Sequence, residues 1–264
     1  MFTSLEDRQL STEYERDGYI IRQAANPSAL GRIRTGIANI ARQQVEAPAT
    51  VSDSDLLNNI HNYVTVEKLN QFRLQVIQKM NAMSALRQDY FEVARPFLEA
   101  IVGNELAMQL RVNLSIQLPG DVSSLLPVHA DTWSGDSPYE VVVWVPLVDC
   151  YKTKAMYLLG PEHARSLMEN FSAQAGQTSE QLYASISEHV KFLDVQYGQI
   201  LLFDQGFPHG NRVNQESQSR WSMNCRFKGV FTPYGDKKIG EFFEPITLRS
   251  ASKVGMEYRF PKIN

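Results

Sequence analysis

The chain has 264 residues, long enough for a single domain of barrel or sandwich type with a full core. A net charge of −3 excludes a general nucleic-acid binder, which needs a basic face. The two cysteines, Cys150 and Cys225, lie far apart and outside any Cys-x-x-Cys pattern, which excludes a disulfide framework and a structural zinc site.

No signal peptide or transmembrane run is visible, so the expectation is a cytoplasmic protein that is not membrane-bound. Residues 10–21 predict a short helix capped by Ser11 or Thr12, a stop at Gly18, then a strand. Pro27–Val45 places Leu30, Ile33, Ile37, Ile40 and Ala41 at helical spacing. Residues 47–54 read as a polar loop around Pro48. The longest helical region is 65–102, with a stripe of Leu69, Phe72, Val76, Met80 and Met83, a break near Met83 and a restart at Pro96.

From Leu106 the pattern turns to strands. Residues 110–118 alternate, with Arg111, Asn113, Ser115 and Gln117 on one face. Residues 140–148 are β-branched and apolar, which fits a central strand, and Met156–Leu159 is a shorter one. Residues 162–174 read as a helix opened by Pro161, and 176–188 as polar and helical in the second half. Strands resume at 190–193, 200–203 and 220–231. The segment 232–264 reads as an irregular extension with short strands, a candidate lid or homo-oligomer contact. The division expected is one domain: a helical scaffold over 1–105, a β core over 106–231 and the C-terminal extension. Helices first and many short strands after predict a mostly-β fold, a double-stranded β-helix (jelly roll, cupin-like) with an outer layer of helices.

The chemistry concentrates in His129-Ala130-Asp131, followed far downstream by His209 and Arg220. An extended backbone points residues i and i+2 to one face, so His129 and Asp131 reach one metal together. With His209, set in a loop bounded by Gly206, Pro208 and Gly210, they form a 2-His-1-carboxylate set. Such a set suits Fe(II) and leaves coordination positions open. Arg220 follows His209 by eleven residues and opens a second alternating strand, with Arg220, Ser222, Asn224 and Arg226 on one face. If that face lines a cavity it suits a dicarboxylate, which guanidinium grips bidentately. Two strands with polar faces, each beside a ligand candidate, would wall one pocket. Asn113 and Gln117 are further candidates for the co-substrate, and Arg111, Trp133, Asn224 and Arg226 for the substrate. His61, His163 and His189 read as ordinary surface or capping residues.

These motifs carry a family resemblance. Tyr14-Glu15-Arg16-Asp17-Gly18-Tyr19, His129-Ala130-Asp131 and Trp144-Val145-Pro146-Leu147-Val148-Asp149 stand in order with residues 198–204 and with His209-Gly210-Asn211 through Asn214 and Ser217 to Arg220. Over residues 10–231 the chain resembles the phytanoyl-CoA dioxygenase-like branch of Fe(II)/2-oxoglutarate oxygenases. Residues 131–139 and 149–156 resemble the members found in bacterial carbohydrate-biosynthesis clusters. Lys152-Thr153-Lys154-Ala155 and Gly160-Pro161-Glu162-His163 depart from the turn and segment common in relatives, so acyl-CoA specificity is not carried over. The resemblance implies that His129, Asp131 and His209 bind Fe(II), with 2-oxoglutarate and O2 as co-substrates. It implies that Arg220, with Ser222, pairs the distal carboxylate of 2-oxoglutarate. It also argues against halogenation, since halogenases of this type have a small residue in place of the carboxylate. The expected activity is hydroxylation of a small polar metabolite, of the carbohydrate or nucleotide-sugar class. Desaturation, cyclisation or epimerisation at the same iron is the alternative, and a non-enzymatic jelly-roll binding protein a further one.

Overall fold

The computed structural model describes residues 3–261. Helices and strands come in the order α1 (Leu5–Asp17), β1 (Tyr19–Gln23), α2 (Pro27–Val45), α3 (Asp53–Asn58), α4 (Val66–Asn81), α5 (Leu86–Glu92), α6 (Arg95–Ile101), β2 (Leu106–Gln109) and β3 (Asn113–Gln117). There follow β4 (Glu140–Pro146), β5 (Met156–Leu159), α7 (Pro161–Glu169), α8 (Ser179–Ile186), β6 (Val190–Phe192), β7 (Gln199–Asp204), β8 (His209–Asn211), β9 (Arg220–Gly229), β10 (Phe243–Pro245) and α9 (Ser250–Glu257).

The strands form two sheets. A seven-stranded sheet runs β1-β7-β4-β9-β2-β10, with β3 also paired to β9, and a three-stranded one runs β6-β5-β8. All pairings between these strands are antiparallel. β9 is the long spine. One edge pairs with β4, and the other is shared between β2 at its C-terminal end and β3 at its N-terminal end.

The two faces of β9 explain the layers. Trp221, Met223, Cys225 and Phe227 are fully buried in the core cluster that also holds Leu30, Ile33 and Ile37 of α2 and Phe72, Val76 and Met80 of α4. Phe72 meets Trp221 edge-on at 6.0 Å between ring centroids, and the Tyr90 hydroxyl of α5 donates to the Val143 carbonyl at 2.8 Å. The stripe on α4 is therefore core, and the helices cover the outer face of the large sheet. The opposite face of β9, carrying Arg220, Ser222, Asn224 and Arg226, looks into a cavity.

Several elements differ from expectation. More residues lie in helices than in strands, so the fold is mixed rather than mostly β; residues 3–105 contribute one strand only. α1 begins at Leu5 because Ser4, not Ser11 or Thr12, accepts from the Asp7 amide at 3.0 Å. Only Leu10 of that helix is buried, so no apolar period marks its start. α3 occupies part of the expected loop 47–54, capped by Ser52 and too short for a period to show. The strand expected over 110–118 is interrupted before Asn113. Asn81 of α4 clasps the main chain of Val112, accepting from its amide at 2.9 Å and donating to its carbonyl at 3.0 Å, where a strand neighbour would otherwise sit. Residues 162–174 form α7 and then a separate turn, and the expected irregular tail contains α9. Among the described residues no helix is long and apolar enough to cross a membrane.

His209 sits in β8, not in a loop. Pro208 and the flanking glycines hide a three-residue strand that pairs with Met156–Leu158 of β5. Gly210 is required there by close approach. A Cβ would lie 2.6 Å from the Tyr157 hydroxyl and 2.7 Å from the Leu126 carbonyl oxygen. Gly210→Ala should therefore cost roughly 1–3 kcal/mol of stability, the usual range for overpacking. A thermal melt indistinguishable from wild type would show that this contact does not constrain the strand.

Candidate metal centre

The centre is built on paired backbone. His129 and His209 face each other across a single antiparallel bridge, with His129 N–H donating to His209 O at 3.0 Å and His209 N–H to His129 O at 2.8 Å. Their rings stand 4.3 Å apart between centroids. Ala130 is extended, with φ −120° and ψ 136°, which returns Asp131 to the face of His129. The Asp131 amide is then tied to the Gln205 carbonyl at 3.0 Å. One ligand atom each from His129, Asp131 and His209 lies within 4.8 Å of the others.

Protonation is arranged for a cation. His129 Nδ1 donates to the Pro127 carbonyl and His209 Nδ1 to the Phe207 carbonyl, each at 2.8 Å, which leaves Nε2 of each ring as the nitrogen a metal would take. Burial, with the His129 ring beside it, pushes the His209 imidazole down to about 4, so it is neutral at neutral pH. Burial works to raise the Asp131 carboxyl, but the Arg226 guanidinium, through its charge and its hydrogen bond, opposes it, and the carboxyl is held below its ordinary value. A neutral His209 imidazole and an ionised Asp131 carboxylate are donor states a divalent metal needs. Nitrogen and carboxylate donors without sulfur suit iron, nickel or manganese, so the donor set fits the metal expected from the sequence.

A cavity of about 250 Å³ opens from these ligands between the two sheets. Its floor is apolar, from Val142 and Trp144 of β4, Met156 of β5 and Phe203 of β7. Its polar wall is Asn113 and Ser115 of β3 with Arg220, Ser222, Asn224 and Arg226 of β9. Arg220 is 4% exposed. Its Nη2 donates to Ser115 Oγ at 2.9 Å, its Nε has no partner, and among the described residues it forms no ion pair. Burial acts against its charge and lowers its pKa. A buried guanidinium without a carboxylate is costly unless a ligand supplies one.

The sequence-based candidates divide. His129, Asp131, His209, Arg220, Ser222, Asn113, Asn224 and Arg226 meet at this cavity. Gln117 does not line it. It is fully buried behind Arg220, its register partner, and donates to the Arg212 carbonyl at 2.7 Å. Arg111 is exposed in the interruption between β2 and β3 and lies outside the cavity. Trp133 faces another hollow, packed on Phe171 at 4.8 Å, with its indole N–H 3.2 Å from the Met168 sulfur. Arg226 reaches the cavity, but its guanidinium is engaged with acids: Nη2 is 2.8 Å from Asp131 Oδ2 and 3.4 Å from Asp136 Oδ2. His163 and His189 are exposed and stack on each other at 3.9 Å.

Sequence reasoning missed Asn211 and Asp136. Asn211 lies two residues after His209 on the same strand face. It accepts from the Leu126 amide at 2.6 Å and donates to the Ser124 carbonyl at 3.1 Å, fixing the segment that leads to His129. Its parity with His209 was the available signal. Asp136 had none, since its partners are remote in sequence.

No family model and no curated sequence matches the chain. Solved structures match it in shape. A nickel complex of the non-heme monooxygenase ThoJ is similar with a TM-score of 0.57 at 14% identity, covering 91% of this chain and 84% of that one. The non-heme, α-ketoglutarate-dependent carbocyclase SnoK from nogalamycin biosynthesis gives 0.55 at 13%, covering 93% and 97%. EctD from S. alaskensis, solved with 2-oxoglutarate and 5-hydroxyectoine, gives 0.53 at 17%, covering 88% and 78%. At these identities the likeness is one of fold.

Proposed function

We propose that this chain is a non-haem Fe(II)- and 2-oxoglutarate-dependent dioxygenase of the phytanoyl-CoA dioxygenase-like kind, with a jelly-roll core, that hydroxylates a small polar metabolite. The observation that carries the reading is a single cavity with a His/Asp/His set at one end and a buried, unpaired arginine in its wall. His129 and His209 through Nε2, and Asp131 through Oδ1, would hold Fe(II). Arg220, with Ser115 and Ser222 beside it, would take the distal carboxylate of 2-oxoglutarate. The bound iron would couple oxidative decarboxylation of 2-oxoglutarate with O2 to oxidation of a substrate C–H bond. Val142, Trp144, Met156 and Phe203 keep water from the reacting face. Asn113 and Asn224, joined at 2.8 Å across β3 and β9, offer amides to a hydroxyl-rich substrate, which supports a carbohydrate or nucleotide-sugar derivative.

Cyclisation on the same centre is the second reading, favoured by the carbocyclase among the structural neighbours. Product mass separates the two: one added oxygen against two lost hydrogens. Both cysteines are free and buried, which supports a reducing cytoplasm. The exposed Val254, Met256, Tyr258 and Phe260 beyond the sheet support a homo-oligomer contact through the C-terminal extension.

The test is anaerobic titration of Fe(II) and 2-oxoglutarate into the apo-protein. The expected result is a weak visible charge-transfer band that saturates with both components. A protein that binds Fe(II) but gives no band with 2-oxoglutarate removes the co-substrate assignment, and one that binds neither removes the enzyme.

A further inference from the structure

The two oxygens of Asp131 have different neighbours. Oδ1 faces the imidazoles, 3.5 Å from His129 Nε2, whereas Oδ2 is held by Arg226 at 2.8 Å. Arg226 is in turn braced from outside the β core. Asp136, almost wholly buried, lies 3.4 Å from Arg226 Nη2 and receives the Lys237 ammonium at 2.6 Å. The Phe242 ring flanks both cations, 5.7 Å from Arg226 and 4.8 Å from Lys237.

Lys237 and Phe242 belong to the segment that follows β9, and this segment is fastened to the loop carrying the metal carboxylate. Ser137 Oγ donates to the Pro233 carbonyl at 2.6 Å and the Asp236 amide donates to the Gly135 carbonyl at 2.9 Å, while Lys228 Nζ of β9 holds the same Pro233 carbonyl at 2.6 Å. A side chain at Gly235 would overlap the Gly135 carbonyl, so the two backbones are in direct contact. Residues 131–137 are thus gripped from the far side of the cavity by residues 233–242.

We propose that Arg226 is a positioning residue for Asp131, and that the segment 233–242, acting through Lys237 and Asp136, is a structural part of the metal centre. A carboxylate that is free to turn can take a metal through both oxygens and fill a second coordination position. Holding Oδ2 on a guanidinium leaves Oδ1 alone to bind, and keeps the remaining positions for co-substrate and O2. The guanidinium is not free to serve as a substrate anchor, because two acids already take it. The inference rests on the metal reading above and extends it to a segment with no ligand of its own.

The test measures Co(II) binding by isothermal titration and the visible spectrum of the Co(II) protein, for wild type, R226M, R226K and K237M. R226M should bind Co(II) about 10- to 100-fold more weakly, the usual effect of losing an outer partner of a metal ligand, and its visible bands should shift as the carboxylate turns. R226K should recover part of the affinity and the wild-type band positions. K237M should weaken binding in the same direction by a smaller factor. Unchanged or tighter binding in R226M, with unchanged bands, overturns the role of Arg226. Wild-type binding in K237M overturns the role of the segment. Should R226M fail to fold, K237M carries the test, since the Lys237 side chain is 30% exposed and its loss strands no buried cation. A wild-type protein that binds no Co(II) overturns the metal reading itself, a result distinct from all of these.

Discussion

Replacing Arg220 by alanine raises the dissociation constant for 2-oxoglutarate by about 30-fold at least, and up to a few thousand-fold. Truncating one partner of a buried charge pair costs roughly 2–5 kcal/mol, and each 1.4 kcal/mol is a factor of ten. The upper part of that range applies here because the guanidinium is 4% exposed and, among the described residues, its only side-chain hydrogen-bond partner is the Ser115 hydroxyl. Arg220→Lys keeps the charge but loses the planar fork, so it should fall between wild type and Arg220→Ala. The ligand-free protein should respond in the opposite sense. Arg220→Met removes a buried cation that no acid among the described residues neutralises, so its thermal midpoint without ligand should equal or exceed that of wild type. Anaerobic binding and apo melts measure both. An Arg220→Ala protein that binds 2-oxoglutarate within a few-fold of wild type, or an Arg220→Met protein that melts well below it, would mark Arg220 as structural.

Asp131→Asn should weaken Fe(II) or Co(II) binding by more than about 100-fold, and abolish substrate-stimulated succinate formation. The floor follows from comparison: losing a mere partner of a ligand costs about 10- to 100-fold, and this change removes the anionic ligand itself. The substitution keeps shape and volume, so the loss reports charge rather than packing. Arg226 is not stranded by it, because Asp136 remains 3.4 Å away. Metal affinity within tenfold of wild type would mean that the carboxylate is not a ligand.

The parts of the molecule that could be read from the sequence are those with many residues repeating one pattern. α2 runs from Pro27 to Val45 as expected, because a proline at the first turn and buried Leu30, Ile33 and Ile37 mark both its start and its face. The alternation of Arg220, Ser222, Asn224 and Arg226 gave the face of β9 and the cavity beneath it. Pattern failed where one contact decides. The side chain of Asn81 breaks the strand expected over 110–118 and turns Arg111 to solvent, and nothing in 110–118 announces it. Pro208 made β8 look like a loop, although the strand is fixed by β5, some fifty residues earlier. Parity placed Arg226 toward the cavity but could not say that Asp131 and Asp136 would be opposite it. Lys237 and Asp136 meet across 101 residues of chain, a distance over which no local spacing carries information.

Because His129 and His209 answer each other across two backbone hydrogen bonds, the spacing of their Cβ atoms is set by the ladder. Rotation about either side chain is also checked by the carbonyl that each Nδ1 holds. Asn211 pins residues 124–126 beside that bridge, so an uncharged amide outside the candidate ligand set holds the approach to His129 in place.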